Sequence, residues 1–328
     1  MKKISLELGS GGKSMRDFIA RTIVPAFKNP MLAELLDASH LPGRIAFTTD
    51  SYVVDPIFFP GGDIGKLAVN GTVNDLVVSG AVPQYISLGL ILEEGLEWKA
   101  LEKILRSLKA AASRAHVEIV AGDTKVVKQG QGDKIYINTS GIGKVIAKPR
   151  PKLIRPGDKL ILTGTLGEHS LAILTARGDF GLEARVQSDC APLTFLLPFW
   201  KNGLLWMRDI TRGGLATILS ELTEQIPYPL LIEEDEIPLS KAVQAASELL
   251  GIDPLYLACE GRAVLVVPGE KTHDVLARIK KNPLGRKAAI IGQVEGKIGR
   301  PGELLLRTSA GGLRLLEPLS SELLPRIC

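Results

Sequence analysis

The first half of the chain alternates between short apolar runs and segments with apolar residues at helical spacing. IAFTTD, which begins at Ile45, predicts a strand that ends in Asp50, and the residues after FFPGG predict an amphipathic helix that continues to Val77. A strand over 85–92 and a helix over 98–115 follow, and then two more strands, VEIVAGD and KIYINTSGIGKVI. This alternation of strands and helices predicts an α/β or α+β domain.

The pattern breaks at KPRPKLIRPGD, where three prolines fall within eight residues. Such a proline cluster is typical of a linker. Beyond it the same mixed pattern returns, with strands predicted for KLILTG and over 262–267, and helices over 215–225 and 273–281. We therefore expect a second α/β domain.

Four segments follow from these breaks. Residues 1–36 form an N-terminal segment with a glycine-rich loop, and residues 37–149 form the N-terminal domain. Residues 150–316 form the C-terminal α/β domain. Residues 317–328, EPLSSELLPRIC, hold two prolines and little periodicity, which predicts a flexible tail that ends in Cys328.

Composition and charge exclude several classes of protein. Lysine and arginine exceed aspartate and glutamate by 40 − 36 = 4, with the signs interspersed, which argues against a nucleic-acid or membrane surface. Three cysteines are too few for a disulfide framework and lack zinc-ligand spacing. No stretch reaches the ~18 apolar residues of a membrane helix, and the start lacks a signal-peptide core. We expect a cytoplasmic protein.

The glycine-rich loop GSGGK, Gly9 to Lys13, is the first candidate site. Glycines let backbone N–H groups approach an anion, and a lysine after them can neutralise phosphate charge. The loop does not fit the spacing of a Walker A motif, and it follows no predicted strand. A phosphate cradle and a flexible N-terminal segment both remain open.

Four aspartates at predicted strand or helix ends are candidate metal ligands: Asp50, Asp75, Asp123 and Asp209. Carboxylate oxygens are the ligands that Mg²⁺ prefers, and open α/β sheets bind ligands at the carboxyl ends of their strands. A helix cap or a turn is the alternative for each aspartate alone. Asp75 differs because it lies inside the apolar helical pattern NGTVNDL, where a cap does not explain it.

Two short motifs in the second half also carry chemistry. DITRGG places Thr211, Arg212 and Gly213 before an amphipathic helix, whose free N–H groups favour phosphate; a capped helix after a tight turn is the alternative. CEGRAVL places Glu260 among apolar residues, where desolvation raises the pKa of a carboxyl and suits a general base. A structural pair with Arg262 is the alternative for Glu260.

The terminal Cys328 differs from the other two cysteines. Twelve tail residues reach at most about 40 Å, so the arm can carry a thiol to a distant site. A frayed end that finishes in cysteine is the alternative. Cys190 and Cys259 are expected to be small packing residues.

Together, GSGGK, TTDSYVVDPIFFPGGDIGKLAVNGTVNDL, AGDTKVV, DITRGGLAT, CEGRAV and the closing PRIC resemble the HypE family of carbamoyl dehydratases, which act in hydrogenase maturation. The superfamily also holds aminoimidazole ribonucleotide synthetase, selenophosphate synthetase and thiamine-monophosphate kinase. The resemblance covers nearly the whole chain, and the long middle segment and PRIC are its specific parts. One departure is Leu8, where the family often has histidine before the glycine-rich loop.

The resemblance implies a fold and a reaction. The N-terminal domain is expected to pair with its copy in a homodimer and form a β-barrel-like core, with ATP bound between it and the C-terminal domain. The carbamoyltransferase HypF is expected to place a carbamoyl group on Cys328. ATP-dependent dehydration then gives a thiocyanate, whose cyanide passes to iron held by HypC and HypD for the [NiFe]-hydrogenase.

The resemblance also implies roles for individual residues. The expected Mg²⁺ ligands are Asp50, Asp75 and Asp209. The expected nucleotide-binding residues are Gly11, Gly12, Lys13, Asn74, Asp123, Thr211, Arg212 and Gly213. Cys328 carries the reacting group, Glu260 is the candidate base for the amide protons, and Lys125 is the candidate for stabilising negative charge.

Two other functions compete with this prediction. An ATP-dependent kinase or synthetase of the same superfamily would share the aspartates but would need no terminal thiol. Selenophosphate synthetase carries cysteine or selenocysteine beside its glycine-rich loop, which this chain lacks. A non-catalytic binding module would keep the tail for docking and could lose the aspartates, and the four that are present argue against it.

Overall fold

The computed structural model describes residues 3–9, 12–181 and 185–319. The helices and strands of the N-terminal half are α1 (Lys13–Phe18), α2 (Val24–Phe27), α3 (Pro30–Ala33), β1 (Ser39–Leu41), β2 (Ile45–Tyr52), β3 (Phe58–Phe59), β4 (Gly62–Asp63), α4 (Ile64–Val78), β5 (Ala81–Glu93), α5 (Trp98–Ala115), β6 (Glu118–Val127) and β7 (Ile135–Val145). Those of the C-terminal half are β8 (Lys159–Leu162), α6 (Glu168–Arg177), α7 (Leu197–Trp200), β9 (Trp206–Asp209), α8 (Gly214–Thr223), β10 (Leu230–Glu233), α9 (Lys241–Leu250), β11 (Ala263–Val267), α10 (Thr272–Lys280), β12 (Ala289–Val294), β13 (Leu304–Arg307) and β14 (Leu313–Leu316).

Among the described residues, five strands of the N-terminal half form one sheet in the order β1-β2-β7-β5-β6. Neighbours are antiparallel except β5 and β6, which are parallel and joined by α5. Helix α4 begins at Asp63, whose Oδ1 accepts the backbone N–H groups of Gly65 and Lys66 at 2.9 and 3.0 Å. Most of α4 is buried, and it packs between the sheet and α5.

The other face of this sheet is exposed and partly apolar. Phe47, Ile142 and Tyr85 are paired across β2, β7 and β5 and therefore project to the same side. They are 39, 41 and 42% exposed, although large apolar side chains are usually buried. We call this surface, marked by these three residues, the open sheet face.

In the C-terminal half, the described strands form a seven-stranded sheet in the order β14-β13-β10-β12-β8-β11-β9. Strand β11 has apolar residues at every position and is buried on both faces, between β8 and β9. Strand β9 ends at Asp209, which pairs with Ala263 of β11. The register of this sheet edge therefore fixes where Asp209 emerges.

The two halves share a hydrophobic core, which contains Val77 of α4 together with Trp200 and Leu265 of the C-terminal half. The indole N–H of Trp200 donates to the Val77 carbonyl oxygen at 2.8 Å. Buried apolar contact and a buried hydrogen bond thus hold α4 against the C-terminal half.

The sequence predictions for the fold class and for the main elements are confirmed. The helix predicted over 98–115 matches α5, whose apolar stripe faces the core and whose end is at His116 with φ 57°. Strand β5 extends beyond the predicted 85–92, and α6 and α9 were not predicted. The domain boundaries and the barrel across a homodimer stay predictions. Within the described ranges, no helix has both the length and the apolar character needed to cross a bilayer.

Candidate functional site

A cavity of about 480 Å³ lies between the N-terminal helices, the end of α4 and the start of α8. Asp37 and Asp75 line this cavity, and Asp209 lies beside them, with one carboxyl oxygen of each of the three within 4.8 Å of the others. We call this place the carboxylate cavity. It brings together residues from three separate parts of the chain.

Each of the three carboxylates is positioned by a different element. Asp75 projects from α4, and the Thr48 hydroxyl of β2 donates to its Oδ2 at 2.8 Å. Asp209 is the last residue of β9, and Asp37 lies just before β1. The packing of α4 between the two halves therefore determines the geometry of the set.

Arg208 balances part of this negative charge. Its Nε lies 2.7 Å from Asp37 Oδ1, and its Nη1 lies 3.2 Å from Glu221 Oε2 on α8. Arg208 is the neighbour of Asp209 on β9, and its long side chain reaches Asp37. One arginine cannot neutralise the whole group, so the cavity keeps a surplus of negative charge.

Burial raises the pKa of Asp75 well above its ordinary value, and the charges of Asp50 and Asp209 raise it further. Burial also raises the pKa of Asp209, with Asp37 adding to the shift and Arg208 opposing it. Carboxylates that repel one another in a buried site favour a bound cation. The donor set consists of hard oxygens and fits Mg²⁺.

Asp50 lines the same cavity but is not one of the three close carboxylates. It accepts a hydrogen bond from the Tyr52 hydroxyl at 3.2 Å. Tyr52 can approach α4 this closely because Gly71 has no side chain, and a Cβ there would clash with the hydroxyl. The predicted ligand Asp50 therefore lies near the predicted ligands Asp75 and Asp209, but outside the close set of three carboxylates.

Thr211 and Arg212 also line the carboxylate cavity. Gly213 follows them in the left-handed region with φ 81° and precedes α8. The DITRGG motif thus places a guanidinium beside the carboxylates, a group that binds phosphate well.

The side chain of Asn74, the neighbour of Asp75, forms hydrogen bonds to the backbone of the C-terminal half. Its Nδ2 donates to the carbonyl oxygens of Ala191 and Glu260 at 3.2 and 3.3 Å, and its Oδ1 accepts the Leu193 N–H at 2.8 Å. The side chain is 1% exposed and does not line the carboxylate cavity. Its amide therefore joins α4 to two segments of the C-terminal half, and the structure leaves little of it for the predicted contact with nucleotide.

Glu260 is buried beside this junction at 5% exposure. Its backbone N–H donates to Asp189 Oδ1 at 3.2 Å, and Asp189 Oδ2 lies 3.6 Å from Arg262 Nε. Burial raises the pKa of Tyr52, and the charge of Glu260 is among the lesser causes of that shift. Glu260 does not line the carboxylate cavity, and Arg262 pairs with Asp189.

Asp123 and Lys125 lie outside the carboxylate cavity. They are exposed, form an ion pair at 2.9 Å, and line a separate cavity with Ser51 and Asn138 on the open sheet face. Alternation along β2 separates the two places, because Ser51 faces the opposite side from Asp50. Within one chain, the structure does not bring this pair to the carboxylates.

The N-terminal loop contacts the start of the C-terminal tail. The Lys13 N–H donates to the Leu319 carbonyl oxygen at 2.9 Å, and the Leu319 N–H donates to Thr217 Oγ1 at 3.1 Å. Gly12 makes the approach possible, since a Cβ there would clash with that carbonyl. Thr217 lines the carboxylate cavity, so the described chain ends at its rim.

The remaining predictions concern cysteines and residues that are not described. Cys190 and Cys259 are buried free thiols, as expected for packing residues, and burial raises the pKa of Cys190 to about 12. Gly11 and Cys328 lie outside the described residues. Their predicted roles stay predictions.

Sequence reasoning missed Asp37 and Arg208. Asp37 stands in the segment LLDASH, and Arg208 lies inside the short strand β9. Neither has a local pattern that marks it as functional.

Comparisons with known proteins give the family of this chain. The family described as AIR synthase related protein, N-terminal domain, matches residues 36–145, and its C-terminal counterpart matches residues 155–300. Carbamoyl dehydratase HypE of Rhodobacter capsulatus is 44% identical over 100% of this chain and 98% of its own length.

Two solved structures show the same fold. HypE in complex with ATP has a TM-score of 0.82 and 43% identity, covering 99% of this chain and 100% of that chain. The HypE of a HypE–HypF complex has a TM-score of 0.87 and 39% identity, covering 92% and 99%. The matches cover both halves of the chain, and the chain therefore belongs to the HypE family of carbamoyl dehydratases, within the AIR synthase related proteins.

Proposed function

We propose that this protein is an ATP-dependent carbamoyl dehydratase of [NiFe]-hydrogenase maturation, which converts the carbamoylated thiol of Cys328 to a thiocyanate. The observation that carries the proposal is the position of Leu319. It lies at the rim of the carboxylate cavity, held by Lys13 and Thr217, with nine residues between it and the end of the chain. At about 3.3 Å per residue, this length allows the thiol to reach the cavity.

ATP is the proposed co-substrate, and a relative of this chain was solved with ATP bound. Asp37, Asp75 and Asp209 would hold Mg²⁺, with Asp50 beside them. When bound, the metal ion would neutralise phosphate charge during phosphoryl transfer. Arg212 would bind the phosphate oxygens, because it lines the same cavity.

The reaction needs ATP because an amide oxygen is a poor leaving group. The carbamoyl oxygen attacks the γ-phosphorus and ADP leaves, while one N–H proton is lost. The C–O bond then breaks, phosphate leaves with its bonding electrons, and loss of the second N–H proton completes the C≡N bond. Thiocarboxamide and ATP thus give thiocyanate, ADP and phosphate. The protein contributes mainly by positioning the groups and by stabilising charge.

Glu260 is the proposed base for the amide protons. Its backbone is fixed on both sides, by Asp189 at the N–H and by Asn74 at the carbonyl oxygen. A carboxylate at this buried position is shielded from water, as a general base for the amide protons requires. Lys125 is proposed to stabilise negative charge only if another copy of the chain brings it to a neighbouring site, since it lies on the open sheet face.

The proposed partners follow from the reaction. A HypE relative was solved in a complex with HypF, and HypF is the proposed source of the carbamoyl group. HypC and HypD are the proposed acceptors of the cyanide on iron. Because ATP and reduced thiols are both supplied in the cytoplasm, the reaction is proposed to take place there.

A homodimer is also proposed. The open sheet face is its support, because Phe47, Tyr85 and Ile142 expose apolar area on adjacent strands. A second copy that packs face to face would bury this area and close the two sheets into a barrel-like core.

Intact-mass measurement tests the proposed function. The full-length chain is incubated with HypF, a carbamoyl donor and ATP. We expect a gain of one carbamoyl group, followed by an ATP-dependent loss of one water, and neither change in a Cys328→Ser variant. A Cys328→Ser variant that still gained and dehydrated the group would overturn the proposal.

A further inference from the structure

A second cleft, of about 780 Å³, lies where the linker after β7, the end of α7 and the start of α10 meet. Among the described residues, it shares no lining residue with the carboxylate cavity. Its side chains include five cations and a single acid. The cations are Lys148, Arg150, Lys201, Lys271 and Arg278, and the acid is Asp274.

Neutral groups hold three of the cations in place. The Arg150 guanidinium donates to the Leu204 carbonyl oxygen at 3.3 Å, and Lys271 Nζ donates to the Asn202 carbonyl oxygen at 3.4 Å. Because neither partner is an acid, both side chains keep their full positive charge. Each also keeps N–H donors for a ligand.

Arg278 is held in a similar way, with its guanidinium carbon 5.0 Å from the centre of the Phe199 ring. It also forms the ion pair of the cleft, with Asp274 at 3.6 Å. In the described part of the chain, the side chains of Lys148 and Lys201 have no hydrogen bond or ion pair.

The charge of the cleft is large for its size. Five cations and one anion give 5 − 1 = +4, which equals the net charge of the whole chain. Like charges gathered at one place repel one another, so this arrangement costs free energy until an anion binds. It also raises the local concentration of anions.

We propose that this cleft binds a small phosphate-bearing molecule. Its volume lies within the range of about 300–1,000 Å³ that is usual for small-molecule sites. Arginine binds phosphate oxygens with two parallel N–H groups, and lysine adds a compact charge. The cleft contains both kinds of donor.

Two residues give the cleft a fixed shape. The Trp200 indole forms one wall, and its N–H is already used by Val77. Gly203 has φ 89°, and a Cβ there would clash with Lys271 Nζ. A side chain at this position would therefore displace one of the phosphate-binding groups.

Isothermal titration calorimetry of the full-length protein tests the proposal, with pyrophosphate and ADP as probes and without Mg²⁺. The variant Lys201→Glu/Lys271→Glu reverses two cleft charges. The matched control, Lys280→Glu/Lys281→Glu, makes the same charge change at exposed positions of α10 and just after it. We expect the cleft variant to weaken pyrophosphate binding at least about tenfold and the control less than about threefold. This contrast separates a local site from general attraction.

Further measurements distinguish the source of the phosphate and identify the site of binding. Tighter binding of ADP than of pyrophosphate, lost in the cleft variant, indicates a nucleotide; equal binding indicates the phosphate group alone. An Asp209→Asn variant should bind pyrophosphate as the unaltered chain does, because it changes only the carboxylate cavity. Hydrogen exchange should slow over 199–203 and 271–278 when pyrophosphate binds.

Three results would overturn the proposal: no binding of either probe, equal loss in the cleft and control variants, or loss in Asp209→Asn. If Lys271→Glu prevents folding, Lys148→Glu/Lys201→Glu replaces it, since neither lysine side chain has a partner in the described ranges. The outcome does not depend on the proposed dehydratase activity, because none of these experiments measures that activity.

Discussion

The side-chain amide of Asn74 donates to the backbone carbonyl oxygen of Glu260 at 3.3 Å. Asn74 precedes the carboxylate Asp75 on α4, whereas Glu260 belongs to the C-terminal half and is the proposed base. One buried side chain thus sets the distance between the proposed metal site and the proposed base. The relationship makes Asn74 a positioning residue for both.

Replacing Asn74 with alanine should lower single-turnover dehydration about 100-fold, because a displacement of about 1 Å between reacting groups can cost that much. Leaving the Ala191 carbonyl oxygen and the Leu193 N–H unpaired should also lower the free energy of unfolding by about 3 kcal/mol. ATP binding should change little. Rapid-quench mass analysis of the carbamoylated chain and a urea titration measure the two effects.

The matched control is Asn70→Ala, one turn earlier on α4. Asn70 donates to Cys190 Sγ at 3.4 Å, whereas the Glu260 carbonyl oxygen accepts from Asn74. The Asn70→Ala variant should destabilise the protein while keeping the dehydration rate within about threefold of that of the unaltered chain. Equal rate losses in both variants would show that Asn74 acts only through stability.

Glu260→Gln should lower the dehydration rate by about 10²–10⁴-fold, because a glutamine of similar shape cannot accept the amide protons. The hydrogen bonds at the Glu260 backbone remain, so folding should be unchanged. Mass spectrometry should show carbamoylated Cys328 accumulating without conversion to thiocyanate. The exposed Glu236→Gln serves as the control, and an undiminished rate in Glu260→Gln would make the base assignment wrong.

Asp75→Asn should make the metal-free protein more stable and the ATP-bound protein less so. It removes one buried charge from a set of repelling carboxylates, and its amide oxygen can still accept from Thr48, so we expect a gain of about 1 kcal/mol. The rise in melting temperature on adding Mg²⁺ and ATP should then shrink. Exposed Asp133→Asn should change neither measurement, and a destabilised Asp75→Asn that kept its full response to nucleotide would contradict the prediction.

His169 should make the protein sensitive to acid. Burial lowers the pKa of His169 to about 3, while the unfolded chain has a histidine pKa of about 6.5. Between these values the unfolded state binds a proton that the folded state does not, so stability falls as the pH drops below about 6.5. At pH 5 the loss is about 2 kcal/mol.

Urea unfolding at pH 7 and pH 5 measures this loss. A His169→Gln variant should lose less stability between the two pH values than the unaltered chain, even if it is less stable at both. Exposed His273→Gln should keep the full loss. An unchanged pH dependence in His169→Gln would assign the acid sensitivity to other groups.

Ile142→Glu should convert the proposed homodimer to a monomer. Ile142 lies between Phe47 and Tyr85 on the open sheet face, where a buried carboxylate would face apolar groups of the second copy. Light scattering after size-exclusion chromatography reports the mass. The exposed Leu249→Glu, on α9, is the control, and a monomer in the unaltered chain would contradict the dimer.

Local pattern was enough to predict much of the fold. The apolar stripe of α5 and the apolar run of β11 are local patterns that depend on few residues, and the structure confirms both. Helix α9 escaped prediction although it is amphipathic, and Ser240 caps it by accepting the Val243 N–H. Its boundaries are marked by the serine and by Gly251, a signal that was available in the sequence.

The site was harder to predict because its members meet only after folding. Motifs marked Asp75 and Asp209, but Asp37 joins them through the packing of α4 and β9, which no local pattern records. Asp123 illustrates the opposite case. It ends a predicted strand like Asp50, yet the strand register places it on the other face of the sheet.

The anchoring of Leu319 sets the local concentration of the substrate. Nine residues at about 3.3 Å each confine the Cys328 thiol to within about 30 Å of the cavity rim, which corresponds to about 15 mM or more. Under the proposed function, each molecule would meet its own carbamoyl group in a first-order step, whose rate should not change when the protein is diluted. The same tether would present one thiol at a time, so the cyanide would have to leave before a new cycle.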